Sequence, residues 1–239
     1  HMDGGFAKYV RIPGGVMGVH KMALMKLPDS VSFEHGSLLD PICNAYMAVA
    51  QESNLLPGQS AIIFGPGPIG LLAAQIRHIM GAKDVIMVGL ADDKEKRVEI
   101  AAQMGVTEFI VSDIEDLDTR IHEICGPEGA DTAIDCAGFP TILQQAMKNV
   151  RRCGRIVMLG AGHLPLNFSL NDLTYQSQSI QGHHAYNNVT WRNCLGLLEK
   201  HMLVLDPLIT HILPISEWER GMHLMKSREG TKVLLYPED

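Results

Sequence analysis

Six consecutive residues, Gly65-Pro66-Gly67-Pro68-Ile69-Gly70, carry the clearest chemical message in the chain. They follow an apolar run, Ala61–Phe64, and precede Leu71-Leu72-Ala73-Ala74-Gln75-Ile76, a stretch of helix-forming residues. In a strand, loop and helix of this kind the first glycine allows a tight turn and the second lets the backbone approach a pyrophosphate. The third lets helix and strand pack closely. The helix start adds free N–H groups and the positive end of a dipole, both suited to an anion. Gly65, Gly67, Pro68, Ile69 and Gly70 are therefore the first candidate binding residues, and the ligand they point to is a dinucleotide.

Such a site calls for an acidic residue about 20 positions further on, at the end of the second strand, to hold the adenosine ribose hydroxyls. Gly89 stands there, and the charged run Asp92-Asp93-Lys94-Glu95-Lys96-Arg97 comes just after it. Asp92 or Asp93 would suit the ribose of NAD, whereas Lys94, Lys96 or Arg97 would suit the 2′-phosphate of NADP. All of them equally suit a helix start, with one aspartate as its cap. The cofactor is thus NAD(P), with a slight preference for NAD. The run reads as an unusually long loop, the next helix beginning at Lys94.

Elsewhere the residues that could do chemistry are dispersed. Cys43, Cys125, Cys136, Cys153 and Cys194 are far apart and embedded in apolar runs, which argues against a disulfide framework and against a clustered metal site. Cys136 has no histidine or charge partner nearby in sequence to activate it as a nucleophile. With a net charge of -7 and scattered Lys and Arg, the chain offers no stripe for nucleic acid. No apolar run approaches the roughly 20 residues of a membrane span, and no secretory leader is evident. A cytoplasmic protein is expected, and the Asn-x-Ser/Thr triplets at Asn167 and Asn188 are read as chance. His1-Met2 resembles a cloning scar, and the abrupt start at Asp3 suggests a fragment of a longer protein.

The elements that must position the loop are visible around it. Apolar runs Ser60–Phe64, Val85–Gly89, Phe109–Val111, Thr132–Asp135, Arg155–Gly160 and Ser179–Gly182 alternate with helical patterns over Ile69–Met80, Lys94–Met104, Ile114–Cys125, Thr141–Val150 and Leu170–Tyr175. Strands without polar alternation are strands covered on both faces. The fold class is α/β, a doubly wound parallel six-stranded sheet of the Rossmann type. The flanks break this rhythm. Phe6–Ile12 alternates like a half-exposed strand, Phe33–Gln51 reads as one helix, Asn188–Lys200 and Ser216–Lys226 as two more, and Lys232–Tyr236 as a closing strand.

In six blocks the chain resembles the medium-chain zinc-dependent alcohol dehydrogenase family, in its sorbitol, threonine and polyol dehydrogenase branch. The blocks are Gly5–Val10, Leu27–Ser32, the glycine loop, Gly129–Gly138, Gly154–Gly160 and Asp206–His211, in family order. The resemblance implies a two-domain enzyme in which a zinc-bound alkoxide gives hydride to NAD(P), zinc acting as the Lewis acid. It implies three zinc ligands: a Cys, the His of a Gly-His-Glu motif, and a later acidic or Cys residue. Only the last has a counterpart, Asp40 in Leu38-Leu39-Asp40-Pro41. No Gly-His-Glu occurs, Glu34-His35 and His122-Glu123 stand in other contexts, and the structural-zinc cysteines are missing. Judged by itself, Asp40 is a helix N-cap ahead of Pro41.

The same resemblance implies that Asn44 faces the nicotinamide, that Cys136, Ala137, Leu159, Gly160 and Ala161 line its pocket, and that Lys232 reaches the pyrophosphate. Asn44 is equally a helix-surface amide and Lys232 equally a surface lysine. His211 receives no role and reads as a loop or core histidine. The expected organisation is a scar (1–2), remnants of the catalytic domain at both ends (3–42 and 187–239), and the dinucleotide-binding domain (43–186). Pairing of the last strands of two copies would give a homo-oligomer, a dimer or tetramer. The chain is expected to bind dinucleotide without turning over its small-molecule alcohol, with zinc confined to the full-length enzyme. A zinc-independent quinone or enoyl reductase and a non-catalytic dinucleotide-binding module are the alternatives.

Overall fold

Long-range order in the computed structural model, which describes residues 5–12, 24–162, 164–166 and 168–238, follows from the apolar runs. In chain order the first unit contains α1 (Leu39–Tyr46), a π-helical turn (Met47–Glu52), β1 (Ala61–Phe64) and α2 (Pro68–Ile79). There follow β2 (Val85–Gly89), α3 (Ala91–Gln103), β3 (Glu108–Val111), α4 (Leu117–Cys125) and β4 (Ala130–Asp135). It ends with α5 (Pro140–Asn149), β5 (Val150–Met158), α6 (Leu170–Gln176) and β6 (Ser179–Gly182). The six strands form one parallel sheet in the order β3-β2-β1-β4-β5-β6, the doubly wound arrangement whose halves diverge between β1 and β4.

Every residue of β1 and β2 is buried. Ile62, Phe64, Ile86 and Val88 share one apolar cluster with Ile121, Leu143 and Ile156. At about 1.5–3 kcal/mol for each fully buried aliphatic side chain, this burial drives the sheet. The chain divides into compact units, Asp40–Thr190 and His1–Leu39 with Trp191–Asp239. In the second, β7 (Ile209–Pro214) and β8 (Lys232–Tyr236) pair in parallel, and α8 (Trp218–Lys226) packs on them through Gly221, whose missing side chain faces Val233 and Leu235. The helix α7 (Asn188–Glu199) contains the point in the sequence at which the chain passes from one unit to the other.

Four sequence expectations are corrected. Phe6–Ile12 forms no strand, and its residues stand exposed except for the half-buried Ile12. The expected helix Phe33–Gln51 is three pieces: a single turn Phe33–Gly36 capped by Ser32, then α1 and the π turn, in which Ser53 N–H donates to the Ala48 carbonyl. Ile209–Pro214, bounded by prolines at 207 and 214 and passed over as a connection, is a strand. The long loop after β2 does not exist, because α3 starts at Ala91.

Candidate active site

Parallel strands all end on one edge, and hydrogen bonds continue across that edge after the strands stop. Gly65 N–H donates to Val88 O (2.9 Å), Cys136 N–H to Phe64 O (2.9 Å), Leu159 and Gly160 N–H to Asp135 O (2.9 and 2.7 Å), and His183 N–H to Met158 O (3.0 Å). The ladder sets four turns side by side where ligands of doubly wound sheets bind. It thereby brings together the glycine loop, Cys136-Ala137, Leu159-Gly160-Ala161 and a histidine that the sequence analysis had not singled out.

The glycine loop fits its sequence locally. Gly65 has φ +95°, a left-handed conformation that a side chain disfavours. A Cβ on Gly70 would overlap the Gly65 carbonyl oxygen, so loop and helix start meet backbone to backbone. Gly67 differs from both, since a Cβ there would meet nothing within 4 Å. Its glycine is not required by the protein's own packing. Gly67 is the N-cap of α2, no side chain caps the helix, and Pro68 occupies the first turn, so an uncapped helix start stands beside open space at Gly67, an arrangement suited to an anion.

At the end of β2, a Cβ on Gly89 would come within 3.2 Å of the Asp93 Cβ and 3.0 Å of Pro66. Asp93 therefore lies over the place where the acidic residue was sought. One of its oxygens accepts the Leu90 N–H at 3.0 Å, which caps α3, while Ala91 N–H is held by Asp113 at 2.9 Å. Asp92 pairs with Lys96 at 3.0 Å. Arg97 is buried, Lys94 exposed.

Asp135 organises the middle of the edge. Its Oδ1 accepts from Ala137 N–H (2.8 Å) and Gly138 N–H (2.9 Å), and its Oδ2 is buried without a partner. Burial pushes this carboxyl above its usual range, against the two N–H bonds that lower it. Burial, and then the Asp135 charge, push the half-buried Cys136 thiol far up. A thiol held this way is a wall and not a nucleophile.

Asp40 is not an N-cap. It lies inside the first turn of α1, exposed, and its Oδ1 accepts from the Tyr186 hydroxyl at 2.8 Å. Asn44, one turn on, donates from Nδ2 to the Asp40 carbonyl at 2.9 Å, and its Oδ1 lies 3.0 Å from His183 Nε2. His183 Nδ1 in turn meets Glu52 Oε2 at 2.8 Å. Among the described residues no three His, Cys, Asp or Glu side chains stand together as a metal site. Asp40 could contribute one oxygen to a metal, and the described residues do not complete a zinc site of three ligands.

Glu52, His183 and Tyr186 escaped the sequence analysis because their partners lie more than 130 residues away. One signal was available: Gly182-His183-His184 follows the last strand, at the edge where ligands bind. Lys232 opens β8 in the second unit, where its carbonyl accepts from the Thr210 hydroxyl at 3.3 Å. His211 is a half-buried strand residue of β7, neither loop nor core. Asn188 is the exposed first residue of α7, and Asn167 lies outside the described residues.

The sequence model of the family described as zinc-binding dehydrogenase matches residues 68–200. An uncharacterized zinc-type alcohol dehydrogenase-like protein, YdjL of Escherichia coli, is 40% identical over 97% of this chain and 65% of its own length. An L-threonine 3-dehydrogenase of Bacillus licheniformis is 31% identical over 98% of this chain and 65% of its own length. Among solved structures, zinc dependent alcohol dehydrogenase 2 from Streptococcus pneumonia superposes with a TM-score of 0.86 at 26% identity, covering 99% of this chain and 66% of that one. The chain thus spans 65% of the length of the first two relatives.

Proposed function

Because the chain belongs to the zinc-binding dehydrogenase family, we propose that it is the coenzyme-binding portion of an NAD(P)-dependent alcohol or polyol dehydrogenase. The whole protein would move hydride from a secondary alcohol, polyol or amino alcohol to nicotinamide. The observation that carries this reading is Gly67, a glycine that the packing around it does not demand, at an uncapped helix start beside open space. A pyrophosphate needs that space, the N–H groups beside it and the dipole behind them. The turns Cys136-Ala137 and Leu159-Gly160-Ala161 would border the nicotinamide, with Asn44 beside them and Lys232 directed to the pyrophosphate. Asp93, which lies over Gly89, would take the ribose hydroxyls in place of a strand-end acid, and this supports NAD over NADP.

Zinc enters through the family, and in this reading Asp40 is the chain's own contribution to it. Two further ligands must come from a longer protein, so the chain alone binds dinucleotide and does not oxidise alcohols. Residues 3–42 and 187–239 are assigned to the catalytic part of that protein. The outer edge of β6, which ends the sheet, is the surface through which two copies would pair into a dimer or larger assembly. A cytoplasmic setting accords with the composition, and no described helix is long and apolar enough to cross a membrane.

The test is fluorescence titration of the chain with NADH and with NADPH. Binding of NADH, more tightly than NADPH, is expected. Failure to bind either would overturn the reading, tighter NADPH would overturn the choice of NAD, and zinc-dependent alcohol oxidation by the chain alone would overturn the division of labour. A sedimentation mass of one chain at micromolar concentration would reject the dimer.

A further inference from the structure

Beyond the end of β6 the chain puts an imidazole where the other strand ends put only turns. His183 continues the edge ladder through its own N–H to Met158 O, so it stands beside the Leu159–Ala161 turn. Its side chain is 4% exposed and that of Glu52 is 12% exposed, an acid and a base almost withdrawn from water. Such groups are costly to bury unless each is satisfied. Glu52 is the last residue of the π turn, a rare conformation that recurs at functional sites. This chain therefore departs from regular helix at the point that delivers the carboxylate.

Donor and acceptor roles fix every orientation in the group. A backbone carbonyl only accepts, so the Asn44 nitrogen must face Asp40 O and the Asn44 oxygen must face His183. His183 Nε2 therefore carries a hydrogen and donates it. Glu52 Oε2 lies 2.8 Å from Nδ1, so one further hydrogen is shared between these two atoms and Nε2 keeps its own. With Glu52 in place the ring can neither flip nor present a bare nitrogen to the amide. With the ring in place the amide cannot flip.

We infer that Glu52 and His183 are positioning residues that lock the side-chain amide of Asn44 at the carboxyl edge of the sheet, and so govern the nicotinamide end of the bound dinucleotide and not its adenosine end. The first half stands on the hydrogen bonds alone, and the second rests on the dinucleotide reading proposed above. Two bonds across 131 and 139 residues converge on one amide and fix its orientation.

Two variants and two readouts test this. Glu52→Gln keeps the lock, because the new amide donates to Nδ1 while Nε2 still donates to Asn44. The double variant Glu52→Leu with His183→Phe removes the acid and base together, a replacement that buried pairs commonly tolerate, and leaves Asn44 Oδ1 without a donor. The first readout is heteronuclear NMR of the free chain. A hydrogen on His183 Nε2 in the parent and in Glu52→Gln is expected, and a ring with Nε2 bare would overturn the lock whether or not the chain binds dinucleotide. The second is affinity for NADH against ADP-ribose, which lacks the nicotinamide. The double variant should lose about tenfold for NADH, the worth of one buried hydrogen bond, with ADP-ribose unchanged and Glu52→Gln close to the parent. Equal losses for both ligands, or no loss, would overturn the role at the nicotinamide. Absence of dinucleotide binding in the parent would strike the earlier reading and leave the NMR result to decide the lock.

Discussion

Around Gly65–Gly70 the geometry is made by backbone, within six residues, against strands of the same sheet. Around Asn44 it is made by side chains, through bonds that reach 139 residues along the chain. Both groups stand at the carboxyl edge of one sheet, yet they should fail differently. The backbone corner has no slack, so a methyl group breaks it. The side-chain corner depends on the direction of a few hydrogen bonds, so its losses should register in binding or spectra more than in folding.

The largest effect belongs to Gly70→Ala. Its methyl would overlap the Gly65 carbonyl oxygen, so the α2 start or the loop must move. Overpacking of this kind costs about 1–3 kcal/mol or more, and NADH binding should be lost with the stability. Chemical denaturation and NADH fluorescence on one sample check it, and a variant with parental stability and affinity would show that the corner does have slack. Gly67→Ala is its counterpart. Its methyl meets no protein atom, so the denaturation midpoint should stay while a methyl-sized clash weakens NADH roughly ten- to a hundredfold, the ligand-side equivalent of overpacking at ~1.4 kcal/mol per decade. If Gly67→Ala binds like the parent, the space beside Gly67 does not hold the pyrophosphate.

The comparison also separates what a single sequence discloses from what it withholds. The loop was legible because spacing, strand and helix are contiguous, and the six strands were legible because burial on both faces leaves unbroken apolar runs. The start of α3 was legible in part: an aspartate cap was one of the readings, and Asp93 capping Leu90, with Asp113 holding Ala91, begins the helix at Ala91 instead of Lys94. Asp40 followed by Pro41 obeys the N-cap rule, but the helix begins at Leu39 instead of Pro41 and the Asp40 carboxylate is taken by Tyr186. Strand β7 lies between two prolines that mask it. His183 and Glu52 have no local signature, since only the folded sheet makes them neighbours.

Asp135 joins the two kinds of corner, a side chain that holds backbone N–H groups of the turn facing Gly65. Burial raises its carboxyl above the ordinary 3.8. A carboxyl raised on folding adds stability that is full below its unfolded value and is lost as pH climbs through the folded one. Asp135→Asn has no charge to develop and can still offer one oxygen to both N–H groups. Relative to the parent, the variant should therefore be least stable near pH 3.5 (about that value) and gain ground toward neutrality. Thermal denaturation across that range checks the sign, and a gap that widens toward neutral pH would mean that the charged form is the one the fold prefers.

The smallest effect is expected at Tyr186→Phe. The hydroxyl donates to an exposed carboxylate, and water can replace it there, so the stability cost should fall at or below the ~0.5–1.5 kcal/mol typical of a hydrogen bond. The phenyl ring keeps its packing. What the variant removes is direction: one oxygen of Asp40 is pinned in the parent and released in the variant. If the Asp40 corner is organised for orientation, as the Asn44 lock is, the carboxylate should gain rotational freedom while the denaturation midpoint hardly moves. Side-chain carboxyl relaxation by 13C NMR would report it. A loss above about 2 kcal/mol, beyond the usual worth of one such bond, would instead place Tyr186 among the groups that hold the fold, and the contrast between a packed corner and an oriented one would no longer describe this edge of the sheet.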